Sequence, residues 1–252
     1  MDIKIYVAAH KPYRMPEDSM YIPMCVGAVR QEPFCEVTDA TGDNISQKNP
    51  YYCELTGLYW MWKNADAEYL GLVHYRRHFA GQFAIDKWKR IIIKSKMSKV
   101  LKTTDVVVPM ARHYVIETRW SQYAHAHHVN DLIKVRECIS QLYPEYLYTF
   151  DKVMKRTTGH TFNMLVMRRE MLHHYCAWLF TILFALEKCL DVSKYTAYDS
   201  RVFGFVGERL LDVWLEKNEI LYKELPIINL ESQHWPRKIV RFFQRKLQPY
   251  RP

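Results

Sequence analysis

The chain reads as an α/β fold, a mainly parallel central sheet flanked by helices with a helical C-terminal part, on three observations. Short apolar or β-branched runs alternate with longer amphipathic stretches, the order that builds parallel sheets. With 252 residues, 49% hydrophobic and 25% charged, the chain is long enough to bury a substantial core in one domain. Finally, polar, aromatic and charged side chains crowd between Asp39 and Phe79, where a loop, a helix and a strand end follow one another. That is the order in which an α/β protein presents a site at the carboxyl edge of its sheet.

Ile3 to Ala9 (IKIYVAA) alternates and is β-branched enough for a buried first strand, which Pro12 ends just after His10 and Lys11. Pro, Asp, Asn and Gly from Tyr13 to Gln47 predict a long irregular connection with one short strand near Met24 to Val29. Pro50 suits a helical first turn, and Tyr52, Leu55, Leu58, Tyr59 and Trp62 recur at steps of three and four, so Pro50 to Asn64 predicts one amphipathic helix carrying Glu54. Tyr69 to Tyr75 follows as a strand, Asp86 to Leu101 as a helix and Asp105 to Pro109 as a second buried strand. Thr118 to Tyr143 predicts one helix with His125, His127, His128 and Asp131 near its middle, stopped by Pro144. Phe162 to Met167 is a strand whose Asn163 is out of character for a core. Arg169 to Cys189 is a long buried helix, and Asp199 to Lys217 a further helix containing Gly204 and Gly207, where a ligand or close packing is expected.

Composition excludes several function classes. Only 8 glycines are present and neither GxGxxG nor GxxxxGK[ST] occurs, which argues against dinucleotide oxidoreductases and P-loop NTPases. The six cysteines form no CxxC pair and the N-terminus lacks the pattern of a signal peptide, so reduced thiols in a cytosolic protein are expected. The most apolar run, Cys176 to Leu186, falls well short of the about 20 residues a spanning helix needs and reads as a core helix. Net charge is +9, but Arg237, Lys238, Arg241, Arg245, Lys246 and Arg251 place six of those charges in the last eighteen residues. Residues 1–230 are therefore expected to form a near-neutral, enzyme-like body, and residues 231–252 a basic amphipathic tail.

The strongest local signal is His74-Tyr75-Arg76-Arg77, a strand end that supplies cationic donors, and guanidinium forks match phosphate oxygens bidentately. The plain alternative is a surface strand end paired with Asp66 and Glu68. Asn44 to Asn49 (NISQKN) offers amide, hydroxyl and ammonium donors suited to a nucleotide or sugar, and equally suits a helix-capping loop. His125, His127 and His128 lack the carboxylates that would complete a metal site, so a polar helix face is expected, with a histidine reaching acceptor or phosphate. Glu208 shares a helix face with Arg201, Gly204 and Phe205; it is either a general base or an ion-pair partner of Arg201 or Arg209. In the tail, Trp235, Ile239, Phe242, Phe243 and Leu247 fall near one face amid Arg and Lys, the pattern of a helix lying on an anionic membrane. A packed helix or a nucleic-acid-binding tail competes with that reading, although no RNA-binding motif interleaves the aromatics.

TGDNISQKNPYYCELTGLYWMWKN, YLGLVHYRRHF, FNMLVMRREML with YCAWLF, and RVFGFVGERLL together resemble a family of bacterial glycosyltransferases of capsule, exopolysaccharide and O-antigen synthesis, up to about Ile228. The resemblance implies a GT-A-like fold and a transferase domain over residues 1–230. It also implies a nucleotide-diphosphate sugar donor, of UDP-galactose type in pyranose or furanose form, and a saccharide acceptor on a lipid diphosphate. Many GT-A enzymes hold a divalent metal with an Asp-x-Asp motif where this chain has His74-Tyr75-Arg76, so the departure implies metal-independent transfer; inversion is implied separately, with Glu208 as base. Carried over, Ala8, His10 and Lys11 meet the nucleotide. Asn44, Ser46, Lys48, Asn49 and Glu54 complete the donor pocket, while His74, Arg76 and Arg77 hold the diphosphate. Asn163 lies at the sugar, His127 and His128 at the acceptor, and Glu208, with Asp199 in reserve, acts as base. The expected location is the cytoplasmic face of the cell membrane, reached through the tail, with no nucleic acid as partner. A polyanion- or membrane-binding module without catalysis, and a nucleotide-sugar hydrolase, are the competing functions.

Overall fold

Strand β1 (Ile3–Ala9) lies inside a nine-stranded mixed sheet in the computed structural model, which describes residues 1–231. The expected connection after it contains two short strands rather than one, β2 (Tyr21–Cys25) and β3 (Val37–Thr38). Next come helices α1 (Asn49–Tyr52) and α2 (Leu55–Asn64), then strands β4 (Tyr69–His74) and β5 (Arg77–Phe79). A loop and a 3-10 turn lead to α3 (Lys94–Leu101), so the helix expected from Asp86 occupies only the second half of that stretch. Strands β6 (Val106–Pro109) and β7 (Arg112–His113) precede α4 (Arg119–Ala126), α5 (Val129–Leu142) and α6 (Leu147–Met154). The chain continues through β8 (Thr158–Gly159), β9 (Leu165–Arg168), α7 (Arg169–Cys189), α8 (Val202–Lys217), β10 (Lys223–Leu225) and β11 (Ile227–Asn229).

The sheet order is β10-β6-β9-β4-β1-β2-β3, with β5 joining β4 to β11. Strands β4, β1, β2 and β3 run parallel, whereas β9 enters antiparallel between β4 and β6. Period-two burial explains why both faces are covered. Tyr6, Ala8, Leu70, Leu72 and Leu165 face the core beneath α2, α7 and α8. Ile3, Ile5, Val7, Tyr69, Val73 and Val166 face a second core closed by α3 and β11. Gly71 of β4 reflects this density, because a Cβ there would stand 2.8 Å from Val166 Cγ2 and 3.1 Å from the Leu165 carbonyl.

Two expected helices are broken. The one over Pro50 to Asn64 is interrupted by Cys53, whose φ of 52° turns the chain out of the helix. Asn49 staples the interruption by donating to the Cys53 carbonyl at 2.9 Å and to Thr56 Oγ1 at 3.0 Å. The helix over Thr118 to Tyr143 breaks at His127, whose backbone is extended, so His125 lies on α4 while His128 stands at the N-cap of α5. The strand expected from Phe162 begins at Leu165, because Phe162 and Asn163 adopt positive φ, 78° and 49°. The tail lies outside the described residues.

Candidate active site at the carboxyl edge of the sheet

Parallel pairing of β1 with β4 brings their carboxyl ends together: Ala8 pairs with His74, and its carbonyl accepts from the Tyr75 N–H at 3.1 Å. The residues after each strand therefore share one edge. His10 packs edge-on against Tyr75 at 5.2 Å, Tyr13 does so at 4.8 Å, and the Lys11 ammonium lies 5.6 Å over the same ring. Burial, followed by the charges of Lys11, Arg76 and Arg201, holds the His10 pKa below its usual value. Those four basic groups thus lie within electrostatic reach of one another at a partly open mouth.

Arg76 reaches Glu231 at 3.3 Å, both side chains being about two-fifths exposed. An ion pair so wetted is worth only about 0–1 kcal/mol, so it costs little to break. Arg77 lies 4.3 Å over the Phe162 ring and donates from Nε to Asn229 Oδ1 at 3.1 Å. His74 behaves differently from the diphosphate ligand expected of it: its Nε2–H donates to the Phe162 carbonyl at 2.6 Å, and its side chain is only 14% exposed. Burial, together with Arg77 and Arg76, depresses its pKa against the opposing pull of Glu54, so it braces the 162–163 turn as a neutral ring.

That turn carries the other half of the site. Asn163 donates to Glu54 Oε1 at 2.7 Å and to the Gly204 carbonyl at 3.0 Å, joining α2, β9 and α8 at one point. Gly207 makes room for it, since a Cβ there would stand 3.1 Å from Asn163 Oδ1 and 2.8 Å from Leu55 Cδ1. Glu208 lies one residue further along α8, in an ion pair with Arg209 at 3.5 Å rather than with Arg201. Burial raises the Glu208 pKa, Arg209 opposes this, and the neighbouring Glu54 raises it further. Both carboxylates lie within electrostatic range of Arg77.

Sequence reasoning placed Arg201 only as an ion-pair partner of Glu208. Its guanidinium donates instead to Cys53 Sγ at 3.0 Å and lies 5.5 Å from the Phe205 ring. The φ of Cys53 turns its thiol toward α8, which is how the helix break and the site are linked. Burial pushes the Cys53 pKa up to about 12, so it serves as a neutral acceptor and not as a nucleophile.

The loop Asn44 to Asn49 does not cap α1 as the plain alternative expected, since Lys48 takes the N-cap position without a side-chain bond and Asn49 is already helical; the loop is tied to Asp39 instead. Asp39, fully buried, accepts from the Gly27 and Ala28 N–H groups, from Ser46 Oγ at 2.6 Å and from Thr56 Oγ1 at 2.5 Å. Asn44 accepts from the Ser46 N–H, and Lys48 is paired with Glu187 at 2.6 Å. Asn44, Ser46, Lys48 and Asn49 therefore hold the scaffold that aims Glu54, because a buried carboxylate needs every donor nearby. Asp199 accepts from Thr196 Oγ1 at 2.8 Å and lies 3.5 Å from His127 and 4.0 Å from His128, a separate polar network from that of Glu208. His127 stacks on Phe205 at 4.1 Å and His128 on Tyr195 at 4.1 Å, an aromatic wall beside Arg201. Among the described residues no group of three His, Cys, Asp or Glu side chains is arranged to hold a metal ion.

The family model described as Domain of unknown function (DUF4422) matches residues 4–219. The chain belongs to the DUF4422 family. Among solved structures, the apo structure of the WbbM bifunctional glycosyltransferase is similar to this DUF4422 chain with a TM-score of 0.85 and 30% sequence identity. The likeness covers 92% of this chain and 46% of that one, so the DUF4422 chain spans less than half the length of WbbM. No curated protein sequence matches it. The GT-A-like fold and the family resemblance read from the four motifs are borne out by these two findings.

Proposed function

We propose that this chain is a glycosyltransferase moving a hexose from a nucleotide-diphosphate donor to a saccharide acceptor in bacterial surface-polysaccharide synthesis. The donor is of UDP-galactose type, pyranose or furanose, and the acceptor is carried on a lipid diphosphate at the cytoplasmic face of the membrane. One observation carries the reading: parallel pairing of β1 with β4 sets His10 and Lys11 beside Tyr75, Arg76 and Arg77 at one sheet edge, with Arg201 in electrostatic range of His10 and with Glu54 and Glu208 in range of Arg77. The likeness to a bifunctional glycosyltransferase supports it.

In this reading Ala8, His10 and Lys11 meet the nucleotide, and Arg76, Arg77 and Arg201 neutralise the diphosphate as it departs. The acceptor hydroxyl attacks the anomeric carbon while the bond to the diphosphate oxygen breaks. Glu208 takes the hydroxyl proton, and the sugar inverts in a single displacement. Its elevated pKa makes it a stronger base than an exposed glutamate would be. A divalent metal at the strand end, as GT-A folds often use, does not fit the side chains present there. His74, Tyr75 and Arg76 place a guanidinium and a neutral, carbonyl-bound imidazole where oxygen ligands would be needed, so no step is routed through a metal.

The decisive assay incubates the protein with candidate nucleotide sugars and a soluble acceptor, with and without EDTA. Transfer persists under chelation, and Arg201→Ala lowers kcat by roughly 10² or more through lost stabilisation of the leaving group. Loss of transfer on chelation overturns the metal-independent mechanism, and unchanged kinetics in Arg201→Ala removes the cationic mouth from it.

A further inference from the structure

Loop 81–90, between β5 and α3, carries two large apolar side chains in almost complete exposure, Phe83 at 90% and Ile85 at 94%. Isolated exposed apolar residues are ordinary, but two within three positions at a loop tip are not. The loop is built to hold them there. Its base is closed by the Ala80–Ile91 bridge and by the Gly81 N–H donating to the Arg90 carbonyl at 2.9 Å. Gln82 donates to the Lys89 carbonyl at 2.6 Å, and Lys96 reaches the Gly81 carbonyl and Gln82 Oε1. Arg90 donates to the Ala84 carbonyl and lies 5.4 Å from the Phe83 ring. These bonds tie the base of the loop together while the apolar tips stand exposed to solvent.

The surroundings are basic. Lys87, Lys89, Arg90, Lys94, Lys96 and Lys99 fall within thirteen residues that hold no acid. Lys87 also donates to the carbonyls of Asn229 and Leu230, next to the point where the lysine- and arginine-rich residues 232–252 begin. The same strand pair, β5 with β11, carries Arg77, so loop and candidate active site are neighbours.

We infer that loop 81–90 is a membrane-docking wedge: Phe83 and Ile85 enter the interfacial region of an anionic bilayer while the surrounding lysines and Arg90 engage lipid phosphates. Apolar tips ringed by cations match the two layers of such a surface, acyl chains below and negative headgroups above. A polynucleotide would use the cations and leave the aliphatic tip unused, which favours the bilayer. The inference does not rest on the transferase reading, because partitioning is measured without turnover.

The test is flotation of the full chain with phosphatidylcholine vesicles and with vesicles containing phosphatidylglycerol, combined with hydrogen exchange of peptides spanning 81–90. Expected are preference for the anionic vesicles, slowed exchange in that loop on binding, and partitioning about tenfold weaker in Phe83→Ser/Ile85→Ser. The variant's circular dichroism and thermal unfolding match those of the wild type, which reports that it is folded. Equal binding to neutral vesicles, no binding at all, or wild-type partitioning of the double variant with unaltered loop exchange overturns the wedge.

Discussion

Glu208 shows how position alone sets the chemistry of a side chain. Nothing in the string RVFGFVGERLL distinguishes a base from an ion-pair member; burial beside Glu54 favours its protonated form, and Arg209 only partly restores the charge. On the proposed mechanism, in which Glu208 acts as a carboxylate, the acid limb of kcat/KM is expected at a pH above the ordinary glutamate range. For stability the sign is opposite: the native state holds this proton more tightly than the unfolded chain, and the advantage is lost as pH rises through the elevated pKa. Glu208→Gln is expected to lower kcat by roughly 10²–10⁴ and to remove the acid limb, with nucleotide affinity by calorimetry little changed. An unaltered pH profile would assign the base elsewhere. The strand-end arginines were readable because two adjacent cations are conspicuous. Arg201 was visible but misassigned, since its partner Cys53 lies 148 positions away in the chain.

At the scale of elements, α8 is fastened by a polar network that no motif revealed. Asp212 receives Arg119 and both the ring and the backbone N–H of His160, and Glu224 of β10 accepts from the other His160 nitrogen at 3.0 Å. Burial opposes each charge, but the partners prevail: Arg119 and His160 depress the Asp212 pKa, while Asp212 and Glu224 raise that of His160. The aspartate's contribution is therefore lost as pH falls through its depressed pKa, and the histidine's as pH rises through its elevated one. Asp212→Asn leaves the Arg119 guanidinium, 2% exposed, without a counter-charge. A loss of about 3–5 kcal/mol in denaturant unfolding is expected, and a loss under about 1 kcal/mol would show that the network is not a structural tie. The helix breaks at Cys53 and His127 were illegible for a related reason. Apolar periodicity continues through both, and only contacts from distant segments make a non-helical residue the better choice there.

For the whole molecule, His10 and Lys11 after β1, Arg76 after β4 and Arg201 before α8 lie within electrostatic range of one point, His10, and a basic, apolar-tipped loop follows β5. Removing residues 235–252 is expected to leave transfer to a soluble acceptor intact and to weaken, without abolishing, partitioning onto anionic vesicles, because loop 81–90 remains. Loss of transfer would place the tail in the chemistry. No helix among the described residues is long and apolar enough to cross a bilayer. Local pattern by itself determined the alternation of strands and helices, the covered sheet and the charged strand end, because periodicity and side-chain charge are properties of neighbouring residues. The antiparallel entry of β9, the turn that aims Asn163 at Glu54, the withdrawal of Ser46 and Lys48 into the scaffold and the arrival of Arg201 were decided only by the tertiary structure. Each depends on which distant donor meets a buried acceptor, and a linear pattern carries no record of that.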